Sequence, residues 1–196
     1  MLVQHYQQKK LVIQKRLEEF SVIPQSEYFY ELCFCLLTPA SSAKICHAAV
    51  ESLRKVNFYQ RDIDPFSYVR LVRFNKTKAQ RLVKAKRQFP VILEKINALD
   101  ARSLRLWLAD HVDGFGLKES AHFLRNIGFK NLGILDRHIL KHLVRHKVIS
   151  SLPKSLTRKR YFAIEEKFQQ FAQRVGIPMD ELDLLFWSSE TGEVFK

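Results

Sequence analysis

The residues with the plainest chemical capacity lie between His111 and His138, in the run H-V-D-G-F-G-L-K-E-S-A-H-F-L-R-N-I-G-F-K-N-L-G-I-L-D-R-H. Gly114 and Gly116 flank Phe115 between two helical segments. Glycine permits the positive φ and the close backbone approach that a tight turn needs. The amides after the turn open a helix, and a helix N-terminus carries partial positive charge that favours a phosphate. Lys118 falls in the first turn of that helix, where the dipole disfavours an ammonium, and the neutral amine is the form that attacks an electrophilic carbon. Asp136 starts the following helix and supplies a carboxylate. Each feature has a plainer reading when taken singly: turn glycines, a solvated lysine, and a capping aspartate worth about 1 kcal/mol. Together they bring a turn suited to gripping a phosphate, a lysine amine and a carboxylate into one short stretch of chain.

The elements that must position these groups are helical almost throughout. Residues 2–20 form a first segment ended by Pro24, and Ser26 is placed to cap a second, very apolar one, E-Y-F-Y-E-L-C-F-C-L-L-T, which Pro39 stops. Ser41 and Ser42 stand where a cap is wanted for A-K-I-C-H-A-A-V-E-S-L-R-K-V, and Asp64–Pro65 reads as the start of a short helix. Residues 76–98 form a long basic segment bent or restarted near Pro90, and Asp100 caps a helix to about His111. Beyond the glycine turn come helices at about 117–127, 136–147 and 157–175, and a last one from Pro178. Period-two alternation is nearly absent, so the fold class is all-α, in two helical lobes approximated as 45–135 and as 1–44 plus 136–196.

Composition narrows the partners. With 46% hydrophobic and 12% aromatic residues the chain of 196 has material for a real core. The excess of 33 Lys and Arg over 20 Asp and Glu, a charge of +13, argues for a polyanion, because neutralising phosphates releases counterions. Cys33, Cys35 and Cys46 form no C-x-x-C pair, which leaves buried reduced thiols as the expectation. The start of the chain does not read as a signal peptide, and no apolar run approaches the ~18 residues of a membrane span. A cytoplasmic, nucleoid-associated location is therefore expected.

The central run G-L-K-E-S-A-H-F-L-R-N-I-G followed by I-L-D-R-H-I resembles the archaeal-type (type 2) 8-oxoguanine DNA glycosylase/AP lyases of the helix–hairpin–helix superfamily. The segments E-L-C-F-C-L-L-T-P-A-S-S-A-K, V-R-F-N-K-T-K-A and the ending L-D-L-L-F-W-S-S-E-T-G-E-V-F-K are similar to the same family, so the likeness runs over roughly residues 26 to 196. Ala40 and Ser120 depart from it. The resemblance implies a single glycosylase unit over 1–196, with an active-site cleft between its two lobes. It implies Lys118 as the nucleophile on the sugar C1′ and Asp136 as its assisting carboxylate. It implies Phe74 and Trp187 about the flipped base, with Lys196 helping to separate 8-oxoguanine from guanine. No cofactor and no catalytic metal are implied, although the carbonyls of Asp110, Val112 and Phe115 would hold a monovalent cation at the hairpin.

The partner so implied is double-stranded DNA containing 8-oxoguanine, met by a monomer. Phosphate contacts are expected from the hairpin at Gly114 and Gly116, from Lys76, Lys78 and Arg81, and from Arg137 and Lys141. Arg125 and His138 are read as structural. Two rivals remain. An endonuclease III-like enzyme for another damaged base usually carries a four-cysteine cluster near its C-terminus, and no cysteine follows Cys46. A non-enzymatic DNA-binding module would have no use for Lys118 and Asp136.

Overall fold

Side-chain caps and glycines set several of the helix limits. The computed structural model describes residues 2–196, and among the described residues there are nine α-helices, two short 3-10 helices and no strand. The helices are α1 (Leu2–Ser21), α2 (Tyr28–Leu37), α3 (Ala43–Lys55), α4 (Asn75–Ala98), α5 (Ala101–His111), α6 (Leu117–Asn126), α7 (Arg137–Arg145), α8 (Arg158–Val175) and α9 (Met179–Thr191). The Asp100 carboxylate accepts from the N–H groups of Arg102 and Ser103, Asp136 accepts from Ile139, and the Thr157 hydroxyl accepts from Arg160. Asp64 accepts from Phe66 N–H and opens the 3-10 helix Pro65–Val69. Gly176 ends α8 at φ +69°, in the left-handed region that glycine enters without a Cβ clash.

Three local expectations differ. Ser26 caps nothing, because Gln25–Glu27 already winds as a 3-10 helix that runs directly into α2. Ser42 is the N-cap residue of α3 but makes no side-chain cap bond, and the hydroxyl of Ser41 is used elsewhere, as described below. Pro90 does not divide the basic segment: α4 continues through it.

The chain forms two compact units: Ile23–Phe123, and the residues up to Val22 together with Leu124–Lys196. The lobe limits expected from the sequence therefore shift at both ends. Residues 23–44 join the middle of the chain because α2 packs on α3 and α4, and the second boundary falls within α6 rather than at 135. In the first unit α2 is buried from Phe29 to Leu37, and Phe29 packs against the rings of Phe58, Tyr59 and Phe89. Each such buried side chain contributes about 1.5–3 kcal/mol, so a helix buried on every side belongs at the centre of its unit. In the second unit α1, α7 and α8 each pack against α9, around Ile13, Leu143, Phe168, Leu182, Leu185 and Phe186. Arg125, 4% exposed, ties its end of α6 to α9 through Asp183 at 3.1 Å.

All three cysteines are buried thiols, as expected from their number and spacing. Among the described residues no helix is long and apolar enough to cross a membrane.

Candidate active site

The glycine turn is built in the unit Ile23–Phe123. Helix α5 closes with Val112 N–H donating to Leu108 O at 3.0 Å, and Phe115 N–H returns to Val112 O at 3.0 Å. Val112 and Phe115 are buried and anchor the turn to the core. Gly114 has φ +95°, a conformation that calls for glycine, and a Cβ there would also lie 2.7 Å from Cδ of Arg81, whose side chain would have to shift. Gly116 lies outside the left-handed region. Beside the turn, Asp113 pairs with Lys84 at 2.7 Å and with Arg81 at 3.4 Å. The Lys84 hydrogen bond holds the Asp113 carboxyl below the usual carboxylate range.

Lys118 is the second residue of α6, with its side chain a quarter exposed and its ammonium 3.1 Å from Glu119 Oε1. The other oxygen of Glu119 accepts from the Gly116 N–H at 3.2 Å. One carboxylate thus spans the hairpin backbone and the candidate nucleophile, and it occupies an amide that the sequence reading offered to a phosphate. Glu119 was legible: a glutamate three residues into a helix that reaches back to the capping residue's N–H is the second half of a capping box.

Phe74 is 60% exposed and is the N-cap residue of α4, in the left-handed region at φ 60°, ψ 37°. For a residue with a bulky side chain this backbone costs about 1–2 kcal/mol. The Arg73 guanidinium stands 4.9 Å from the ring centroid. The ring thus lies outside the core on a strained backbone.

Lys78 is a correction. It is 1% exposed, and its ammonium donates to Leu37 O at 2.6 Å, Pro39 O at 2.7 Å and Ser41 Oγ at 3.0 Å. The position is enclosed because it lies one helical turn beyond Phe74, on the face of α4 that packs on α2. It therefore holds the end of α2 and the following loop and does not reach a phosphate. Burial lowers its pKa; the Cys46 thiol opposes that shift, and Arg81, Lys118 and Arg73 add to it. Lys76 on the same helix is exposed, and Arg81 is partly exposed.

In the other unit, Asp136 is the N-cap residue of α7, half-buried, its carboxylate accepting from Ile139 N–H at 2.8 Å. Arg137 and Lys141 are exposed on that helix. Trp187 sits half-buried on α9, and Val194, Phe195 and Lys196 beyond it are partly covered. Glu190 links the two helices, 3.2 Å from His142 Nε2 and 3.4 Å from His138 Nδ1. Burial pushes the His142 imidazole below its ordinary value, against the pull of Glu190. Among the described residues no cluster of three or more His, Cys, Asp or Glu could hold a metal ion. Sequence reasoning missed Glu190, whose partners only the packing of α7 on α9 supplies.

The sequence matches the profile of the family described as 8-oxoguanine DNA glycosylase over residues 13–177, a range that holds Phe74, Lys118 and Asp136 and stops before Trp187 and Lys196. The 8-oxoguanine DNA glycosylase/AP lyase of Korarchaeum cryptofilum is 39% identical over 189 residues, spanning 94% of this chain and 90% of that protein. The enzyme of the same name from Fusobacterium nucleatum is 37% identical over 204 residues, spanning 97% and 94%. The crystal structure of the Methanocaldococcus jannaschii 8-oxoguanine glycosylase/lyase in complex with a 15mer DNA containing 8-oxoguanine superposes with a TM-score of 0.89 at 29% identity, covering all of both chains. With a lysine in the turn after its hairpin, a capping aspartate ahead of α7 and these likenesses along nearly its whole length, the chain belongs to the 8-oxoguanine DNA glycosylase family.

Proposed function

We propose that this protein is a bifunctional base-excision repair enzyme that flips 8-oxoguanine out of double-stranded DNA, removes it and then cleaves the strand at the resulting abasic site. The neutral amine of Lys118 attacks C1′ as the bond from C1′ to N9 of the base breaks, and the base departs with its electron pair and takes up a proton. Asp136 takes the lysine's proton or stabilises the positive charge growing on the sugar. The sugar ring opens to an imine with Lys118. Loss of a C2′ proton then breaks the bond from C3′ to oxygen, which cuts the strand on the 3′ side. No cofactor enters this sequence.

Phe74 and Trp187 stack on the extruded base, and that stacking offsets the few kcal/mol that unstacking it costs. 8-Oxoguanine differs from guanine by a hydrogen on N7 and an oxygen at C8. An acceptor presented at N7 is satisfied by the damaged base and left facing another acceptor by guanine. Lys196 contributes to that discrimination. Gly114 and the hairpin amides meet backbone phosphate, with Lys76, Arg81, Arg137 and Lys141 adding charge, and the carbonyls of Asp110, Val112 and Phe115 hold a monovalent cation there. The enzyme works as a monomer on nucleoid DNA.

The observation that carries the reading is Lys118 itself: a partly exposed amine in the first turn of the helix that follows a phosphate-binding type of turn, in a chain of this family. Borohydride reduction during reaction with an 8-oxoguanine duplex tests it, since only an imine becomes a permanent link between protein and DNA. Lys118→Gln protein is expected to bind that duplex and form no adduct. An adduct at the parental level would overturn the assignment.

A further inference from the structure

Asp136 is reached through residues 131–135, a stretch with no helix or strand of its own. Backbone N–H groups there lack the partners that regular structure supplies, and buried ones must find others. Three alternate N–H groups are taken by side chains. Asn131 N–H donates to Asp180 Oδ2 at 3.0 Å, Gly133 N–H to Glu165 Oε1 at 2.6 Å, and Leu135 N–H to the Tyr161 hydroxyl at 3.2 Å. The Tyr161 hydroxyl in turn donates to Gly133 O at 2.6 Å.

Tyr161 and Glu165 are successive turns of α8, and Tyr161 is 2% exposed. A Cβ on Gly133 would lie 3.1 Å from Cγ of Glu165, so the stretch is pressed against that helix. Beyond it, Asp136 N–H donates to Ile134 O at 2.8 Å and the Asp136 carboxylate is fixed by Ile139 N–H. The aspartate is therefore held from both sides, by its own cap and by a rail of side chains under the preceding backbone. A tyrosine that only filled space would be as good a phenylalanine. Its hydroxyl instead sits buried with two backbone partners, both within three residues of Asp136.

We infer that Tyr161 and Glu165 are positioning residues for Asp136, setting its carboxylate through the backbone of Gly133 and Leu135 without touching the DNA. The inference rests on the role given to Asp136 above. It accounts for a buried tyrosine hydroxyl and a partly buried carboxylate on α8 that the reaction itself does not use.

Single-turnover excision of 8-oxoguanine under saturating enzyme separates chemistry from binding, and it is run well below each variant's melting temperature. Tyr161→Phe and Glu165→Ala are expected to slow excision about tenfold or more, the scale of a small misplacement of a catalytic group, with the duplex Kd unchanged. Glu165→Gln keeps a carbonyl acceptor for the Gly133 N–H and is expected to restore most of the rate. Parental rates for both Tyr161→Phe and Glu165→Ala, or losses confined to Kd or melting temperature, would overturn the inference. Asp136→Asn run alongside tells the two levels apart. If it is inactive while Tyr161→Phe and Glu165→Ala are both unimpaired, the rail alone fails; if it keeps the parental rate, the role of Asp136 fails and the inference with it.

Discussion

The ammonium of Lys78 donates to the main-chain oxygen of Leu37 at 2.6 Å, so a buried cation on α4 closes the open carbonyl end of α2. No carboxylate answers that charge in the bonds it makes; its partners are two carbonyls and a hydroxyl. Ser41 Oγ also accepts from Arg73 N–H at 3.1 Å, which joins the same loop to the residue before Phe74.

Replacing Lys78 with Met leaves those acceptors without a donor in a buried setting. A loss of stability of about 2–4 kcal/mol is expected, read as a lower denaturant midpoint. The salt dependence of duplex binding is expected to keep its slope. A shallower slope would return Lys78 to the phosphate contacts.

Lys76, exposed on the same helix, is expected to behave in the opposite way. Lys76→Gln should leave the melting temperature unchanged while the plot of log affinity against log salt loses about 0.9 in slope, the share of one neutralised phosphate. An unchanged slope would show that its charge only meets solvent.

The two glycines of the hairpin are expected to differ. Gly114→Ala forces a Cβ into a left-handed conformation and against Arg81, a strain of about 1–2 kcal/mol that also disturbs the pairing of Arg81 with Asp113. Gly116→Ala places its Cβ 3.4 Å from a Glu119 carboxylate oxygen, a contact that a side-chain adjustment relieves. Melting curves and duplex affinities of the two variants check the contrast; equal losses would count against it.

Phe74→Ala removes a ring that the core does not use and keeps the Cβ that strains the left-handed backbone, so the melting temperature is expected to hold. Excision of 8-oxoguanine is expected to fall by the ~1–3 kcal/mol that stacking of one base is worth. A large fall in stability with excision intact would make Phe74 a packing residue.

The α7–α9 contact predicts a pH dependence of stability. Burial lowers the folded-state pKa of His142 below its ordinary 6.5, and burial with the Arg145 charge does the same to His146. Between the lowered values and 6.5 the unfolded chain binds more protons than the folded one. Stability is therefore full above 6.5 and declines as pH falls through that value. Glu190 adds a second loss at lower pH. Burial would raise its pKa, but the nearby His138 imidazole and the charges of His142 and Lys141 outweigh that and hold it below the ordinary 4.5. Melting temperatures taken from pH 8 to pH 5 are expected to drop, and His142→Asn is expected to flatten the upper part of that drop. A parental profile in that variant would remove His142 from the account.

Much of this protein was legible in one dimension because the signals involved are local. The caps at Asp64, Asp100, Asp136 and Thr157 join a side chain to an N–H two or three residues on, and a reader of the sequence meets both partners together. The place of Lys118 just after a glycine turn, and the all-helical class, come from the same short range. Even the Gly116–Glu119 bond has a local signature. Ser41 misled because a hydroxyl satisfies a helix start or a distant donor equally well and only packing chooses, and Ser26 because it lies inside a 3-10 turn that runs straight into α2.

What tertiary structure decided lies at long separation. The bonds of Lys78 to Leu37, of Leu135 to Tyr161 and of Arg125 to Asp183 join residues 41, 26 and 58 positions apart. Lysines 76 and 78 read alike in the chain, and burial alone made one a surface charge and the other an internal clamp. Amino-acid order determined which groups could act, since charge, nucleophilicity and helix ends are properties of residues and their neighbours. Which of those groups reach solvent, and which hold Asp136 in place, followed from the desolvation and hydrogen-bond partners that only a packed interior provides.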